Sequence, residues 1–193
     1  VVLASLLASR RRHTLGGLAL AAGCASKQFA WFYVPFFFLY VGGANESARP
    51  WHHIRRPLVS FLLGFGLLIA PWLIWDAGGF VSSAVGFQSG IINKGYPISG
   101  FGFSSLLLGL GMIRSNLDAF PFVAFQAASA LPIAWLLLKH QMKHNTLPTA
   151  LFGYAMLMAD VGFFSRAFHD NHLGFVLSVL ALAALSYADP RPS

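Results

Sequence analysis

Apolar segments alternate with short basic clusters along the whole chain, and this alternation limits the possible folds more than any other feature. The segments run at about 14–42, 58–75, 103–113, 119–138, 148–165 and 171–188, and the clusters are Arg10 to His13, Arg49 to Arg56 and Lys139 to His144. A helix needs roughly 20 apolar residues to cross the hydrocarbon core of a bilayer. Composition agrees. Charged residues are 10% of the 193 and apolar residues 56%, with a mean hydropathy of +0.65, whereas a soluble domain carries about 25% charged residues. The expected class is all-α: a polytopic transmembrane helix bundle, with short or re-entrant helices where a segment falls short of a span.

The net charge of +7 sits in clusters between apolar runs. That pattern sets membrane orientation and gives no reason to expect nucleic acid. The single Cys24 excludes an internal disulfide and reads as a small core residue. Residues 1–9 are apolar, too short to span, and followed at once by Arg10, Arg11 and Arg12. A signal peptide has its charges before its apolar core. The chain is therefore expected to be one membrane domain over residues 1–193, a fragment lacking N-terminal spans.

The positive-inside rule puts all three basic clusters in the cytoplasm. Segment 14–42 must then leave and return. The expectation is two short helices, 14–26 and 28–42, turning at Ser26-Lys27-Gln28; one long tilted helix is the alternative. Segment 58–75 crosses outward. An outer loop is expected from Asp76 to about residue 102, with Phe80, Phe87, Tyr96 and Phe101 at the interface and part of it an amphipathic helix in the headgroup plane. Segment 103–113 reads as a half-span, whose irregular backbone must be covered by protein or line a wet cavity. Segments 119–138, 148–165 and 171–188 alternate across the bilayer. Lys27, Arg166 and His169 to His172 then share the outer face. No internal repeat is visible.

Few residues can carry chemistry. Lys27 lies between two apolar runs, where an ammonium normally faces a cavity or a partner; it either binds a phosphate oxygen or snorkels to the interface. Arg166 offers a planar fork suited to phosphate. His169 and His172 are spaced to share a helix face, where they can bind phosphate, move a proton or, with further ligands, hold a divalent metal; no cofactor is expected. The competing reading has Asp170 or Asn171 simply capping the last helix. Asp160 lies inside an apolar span, so a pairing with Lys27 or Arg166 is expected, with direct substrate contact as the alternative. Asp76 and Asp118 read as interfacial loop or cap residues, and Asn93 to Pro97 as a solvated turn. His52, His53, His140 and His144 read as contacts to lipid phosphates. Gly16, Gly17, Gly23, Gly64, Gly66, Gly109 and Gly111 are expected to permit close helix contact.

The run Leu15 to Lys27, with Phe29 to Pro35 after it, resembles the Gly-rich helix, buried lysine and Pro-containing helix of membrane glycosyltransferases with the GT-C fold, including the polyprenol-phosphate-mannose-dependent mannosyltransferases of bacteria. Arg166, with His169-Asp170-Asn171-His172-Leu173, resembles that family's His-X-Asn-aromatic element, although His172 stands where an aromatic residue is common. The resemblance spans most of the chain, as the central to C-terminal part of such an enzyme. It implies multi-pass residence in a bacterial plasma membrane and a hexosyltransferase. The sugar, mannose or another hexose, would pass from a polyprenyl-phosphate donor to a glycan or lipid acceptor at the extracytoplasmic face. Lys27, Arg166, His169 and His172 would hold the donor phosphate, with Asp160, Asp170 and Asn171 as secondary candidates. The catalytic base would lie upstream of Val1. A transporter or flippase of a lipid-linked or anionic substrate is the rival reading, and a non-catalytic membrane subunit a third.

Overall fold

The computed structural model describes residues 1–43, 50–87 and 96–188. The helices are α1 (Val2–Ser9), α2 (His13–Ser26), α3 (Val34–Gly43), α4 (Pro50–Val81), α5 (Phe103–Gly109), α6 (Phe122–Lys143), α7 (Leu147–Phe163) and α8 (Asp170–Ala188). A 3-10 helix, Gln28–Tyr33, precedes α3, and a π-turn, Ser82–Gly86, follows α4. Two short strands, β1 (Ser99–Gly100) and β2 (Ala167–Phe168), complete the described elements. The expected all-α class holds. Among the described residues three helices are long and apolar enough to cross a membrane, over His53–Gly86, Phe122–Lys143 and Asp170–Tyr187, while α7 is apolar but shorter. Their large side chains face outward: Leu67 is 77% exposed, Ile74 85% and Trp75 91%. Apolar surface on this scale is rare on monomeric soluble proteins, and it suits hydrocarbon.

Two compact units divide the chain. The first contains Val1–Pro71, Leu136–Ala155 and the chain from Val179 onward; the second contains Trp72–Trp135 and Met156–Ser178.

The first unit is built on the reversal expected at Lys27. Helix α2 ends at Ser26, Lys27 is extended (φ −149°, ψ 132°), and the 3-10 turn begins at once. Gly23 faces Ala30, and Gly16 faces the Phe37 ring, so the contacts nest about Lys27 and the segment is a hairpin, not one long helix. The two arms of this helical hairpin are stapled by the Trp31 indole, which donates to the Cys24 carbonyl at 2.8 Å. Ser5 and Tyr33 share a 2.7 Å hydroxyl contact, and the Tyr154 hydroxyl donates to the Phe29 carbonyl at 3.0 Å. Gln141 and Asn145 donate to the Phe36 and Leu39 carbonyls, each at 2.9 Å. These side chains satisfy backbone groups where apolar surroundings offer no water. Leu20, Tyr33, Phe36, Phe37, Val41 and Tyr154 form the buried core around them.

Helix α1 stops at a turn with Arg11 in the left-handed region (φ 58°). The Arg11 N–H donates to the Ala8 carbonyl and the Arg12 N–H to that of Leu7, the paired closure that usually has glycine at the left-handed position.

Helix α4 corrects the expected outer loop. At Asp76 the backbone leaves the helical region (φ −156°, ψ 89°), and the Asp76 carboxylate accepts the Gly79 N–H at 2.9 Å. That is N-cap geometry, and it restarts the helix. Residues 77–87 are therefore helical where a loop was expected from Asp76, although an interfacial helix was foreseen within that stretch. Asn93, Lys94 and Gly95 lie outside the described residues.

The glycine expectation divides. An added Cβ at Gly17 would strike the Pro57 carbonyl, and one at Gly64 would meet the Leu18 side chain at 3.0 Å. Gly66, Gly109 and Gly111 have nothing within 4 Å, and Gly111 instead serves a left-handed turn at φ 72°. Overpacking costs about 1–3 kcal/mol, whereas Gly→Ala in an open helical position gains roughly 0.5–1 kcal/mol. Gly17→Ala should therefore lower the thermal midpoint in detergent and Gly66→Ala should hold or raise it; equal effects would contradict the close α2–α4 approach.

His13 gives a pH prediction. Its Nδ1 is buried without a partner, and its pKa is lowered by burial first, then by His53 and Arg11. The unfolded chain takes up that proton nearer the ordinary histidine value, about 6.5, before the folded chain does. Stability should therefore fall as pH drops from neutrality through the histidine range. His13→Gln should flatten that part of the profile in a thermal-unfolding series between pH 7.5 and 5; an unchanged slope would sink the assignment.

Candidate functional site

The second unit gathers its polar groups at one edge, and backbone pairing is what gathers them. Strand β1 lies parallel to β2, with Ser99 opposite Ala167 and Gly100 opposite Phe168. The Phe101 N–H donates to the Phe168 carbonyl at 2.6 Å, and the Ser104 hydroxyl donates to the Arg166 carbonyl at 3.1 Å. This approach depends on glycine. Gly100 (φ 84°) has no room for a Cβ against the Phe168 carbonyl, and Gly102 (φ 103°) would place one 2.5 Å from the Phe163 carbonyl.

Arg166 is the centre of the edge. It is 2% exposed. Its Nε donates to the Tyr96 carbonyl, Nη1 to that of Asp118 at 2.8 Å and Nη2 to that of Asn116 at 3.0 Å. The Phe122 ring lies 6.0 Å from the guanidinium carbon. A guanidinium has five N–H donors, so three are committed to backbone and two remain. Burial pulls the Arg166 pKa down and Asp118 partly offsets this; the group stays cationic. The sequence reading cast Arg166 as a phosphate ligand, and its geometry is that of an anchor for the 96–118 segment.

Asp118 works with it. Its carboxylate accepts the N–H groups of Arg114 at 3.2 Å and Ser115 at 2.9 Å, which closes the turn whose carbonyls Arg166 reads. The sequence reading had Asp76 and Asp118 as loop or cap residues; Asp76 is a cap and Asp118 a loop residue that closes a turn.

Both imidazoles belong to the start of α8. His169 precedes its first turn, and its N–H donates to Nδ1 of His172 at 3.0 Å. A side chain at the third helical position reaching back to the cap residue's N–H is half of a capping box, and it replaces the competing reading in which Asp170 or Asn171 makes the cap. Asp170 instead accepts the Asn171 N–H at 2.9 Å and adds negative charge to the first turn, where the helix dipole favours it. Acceptance at Nδ1 leaves any proton of a neutral His172 on Nε2. The Nε2 of His169 lies 3.3 Å from the Ser99 hydroxyl, and the two imidazole centroids are 5.7 Å apart. Tyr96 meets His169 edge-on at 6.5 Å. Both histidines are half-buried, whereas Asp170 and Asn171 are exposed.

Asp160 takes a partner the sequence did not indicate. Ser129 donates to its Oδ1 at 2.5 Å, and its Oδ2 is buried without a partner. Gln126 bridges the same helices by donating to the Val161 carbonyl at 2.9 Å. The expected pairing with Arg166 is not formed: that guanidinium donates to the Tyr96, Asp118 and Asn116 carbonyls instead. Lys27 belongs to the first unit, where it is exposed at the hairpin tip. Among the described residues no three His, Cys, Asp or Glu side chains form a group able to hold a metal ion. Ser99, Asn116 and Ser129 were not singled out by sequence, and Tyr96 was read only as an interfacial aromatic and turn residue. The Gly100-Phe-Gly102 spacing beside serines was the signal for the close backbone approach at β1.

The chain is thus an all-α protein with, among the described residues, three helices long and apolar enough to cross a membrane and a polar edge tied by backbone in its second unit. No family model, no curated protein and no solved structure matches it.

Arg166→Lys keeps the charge but not the planar fork. Breaking a buried, hydrogen-bonded charge costs about 3–5 kcal/mol, so this variant should lose several degrees of thermal midpoint in detergent. Amide exchange should rise at Phe101. Wild-type exchange at Phe101 in the variant would contradict the anchoring role.

Proposed function

We propose that this chain is part of a membrane glycosyltransferase that moves a hexose, such as mannose, from a polyprenyl-phosphate donor to a glycan or lipid acceptor at the extracytoplasmic face of a bacterial plasma membrane. The observation that supports the reading is the edge at the start of α8, where Ser99, His169 and His172 lie together on a fixed backbone. A departing lipid phosphate gathers charge as the glycosidic bond breaks, and preorganised donors aimed at that charge lower the barrier. Imidazole Nε2 groups and a serine hydroxyl are donors of this type. The two uncommitted N–H groups of Arg166 add positive charge behind them, and Lys27 is a further cation of the same class. Exposed apolar faces such as that of Leu67, Ile74 and Trp75 suit a polyprenyl chain. No acid of this chain is assigned as base; Asp160, Asp170 and Asn171 are secondary contacts in this reading.

The test is binding and turnover of a polyprenyl-phosphate-linked sugar by purified protein in nanodiscs. His169→Ala and Ser99→Ala should each weaken donor binding about tenfold, which corresponds to roughly 1.4 kcal/mol, with little change in thermal midpoint. Unaltered binding in both would refute the site. Intact donor crossing the bilayer, with no polyprenyl phosphate released, would establish the transporter reading instead.

A further inference from the structure

Two basic clusters that are far apart in sequence meet in the first unit. His13 lies close enough to His53 and Arg11 for both to affect its protonation. The Ser60 hydroxyl lies 2.9 Å from both the Thr14 and the Pro57 carbonyl oxygens, and its one proton, shared between them, ties α2 to the early turns of α4. An open groove of about 540 Å³ lies there, lined by Thr14, Arg55, Arg56, Val59, Ser60 and Leu63. Arg10, Arg11 and Arg12 extend the positive charge beyond it. Glu46 is the one acid before Asp76 in the sequence, and no acid is among the residues that line the groove.

The groove is graded along its length. Arg55 and Arg56 are exposed at the start of the helix able to span. Val59 is one turn further in and 46% exposed; Leu63 is two turns in and 68% exposed. At 1.5 Å per residue, about 12 Å separates the arginines from Leu63. Charge at the end of a span with an apolar wall running inward matches a molecule with an anionic head and a hydrocarbon tail. A soluble phosphate would use only the outer end.

We propose that this groove is a binding site for an anionic phospholipid of the bilayer. Its headgroup phosphate is held by Arg55, Arg56 and the Thr14 hydroxyl, and an acyl chain lies along Val59 and Leu63. Bidentate guanidinium geometry suits phosphate oxygens, and basic pockets between helices at the cytoplasmic side of a membrane take such headgroups. The site is independent of the sugar-transfer reading and uses none of its residues.

The full chain, exchanged into nanodiscs with phosphatidylcholine and a minor fraction of phosphatidylglycerol, is released from them for native mass spectrometry. Wild type should retain phosphatidylglycerol over phosphatidylcholine about tenfold beyond its share of the bilayer. Arg55→Gln with Arg56→Gln should abolish that preference without shifting the thermal midpoint in neutral lipid. Lys139→Gln with Lys143→Gln removes the same charge elsewhere and should leave it intact. Leu63→Gln should weaken retention while sparing the preference for charge. No preference in wild type, or equal loss in both double variants, would overturn the site, as would displacement of the lipid by millimolar inorganic phosphate.

Discussion

The second unit depends on one buried guanidinium. Arg166 holds three carbonyls that no helix or sheet pairs, those of Tyr96, Asn116 and Asp118. Each belongs to irregular chain beside apolar helices. An unpaired carbonyl away from water costs about as much as a lost hydrogen bond. The Asn116 carbonyl also accepts the Ile98 N–H at 2.8 Å, so the fork completes one carbonyl already paired and satisfies two more, and the 96–118 segment gains a defined path. The β1–β2 pairing, the Asp118 turn and the Ser104 bond all rest on that path. The positions of Ser99 and His169 follow from it.

The first unit solves the same problem differently. Its hairpin carbonyls are taken by Trp31, Gln141, Asn145 and Tyr154, side chains that pair an apolar body with one polar end. Close approach does the rest. Gly17 lets α2 lie on the Pro57 carbonyl, and that contact brings two basic clusters into one patch. Like charges converge there because the packing of apolar helices outweighs exposed charge repulsion, which solvent screens.

Much of this was legible in the sequence. The hairpin at Lys27 followed from the sign of the flanking clusters and the length of the segment, and the short α5 from its apolar length. The loop-or-cap reading of Asp76 and Asp118 followed from their place beside apolar runs. The restart of helix after Asp76 was hidden because Ala-Gly-Gly reads as loop; the cap bond supplies what propensity lacks. The roles of Arg166 and Asp160 were hidden for another reason. Sequence shows that a buried charge needs partners, but not that those partners are remote backbone carbonyls or a serine on another helix. His172 was misleading in the same way, since its nitrogen serves its own helix start. The glycines separated only once their neighbours were known: Gly17 is crowded, Gly66 is open, and composition treats them alike.

The central claim is that a parallel tie between residues 99–100 and 167–168 fixes the polar edge of the second unit, and a cysteine pair tests it most directly. Cys24 is the chain's only cysteine and can be replaced by alanine. In that background Ser99→Cys with Ala167→Cys places two thiols at paired positions, within the roughly 4.4–6.8 Å Cα separation a disulfide spans. Mild oxidation in membranes should cross-link this pair rapidly within one chain, and Leu106→Cys with Ala167→Cys should stay reduced. Failure of the first pair to cross-link, or equal cross-linking of both, would contradict the account.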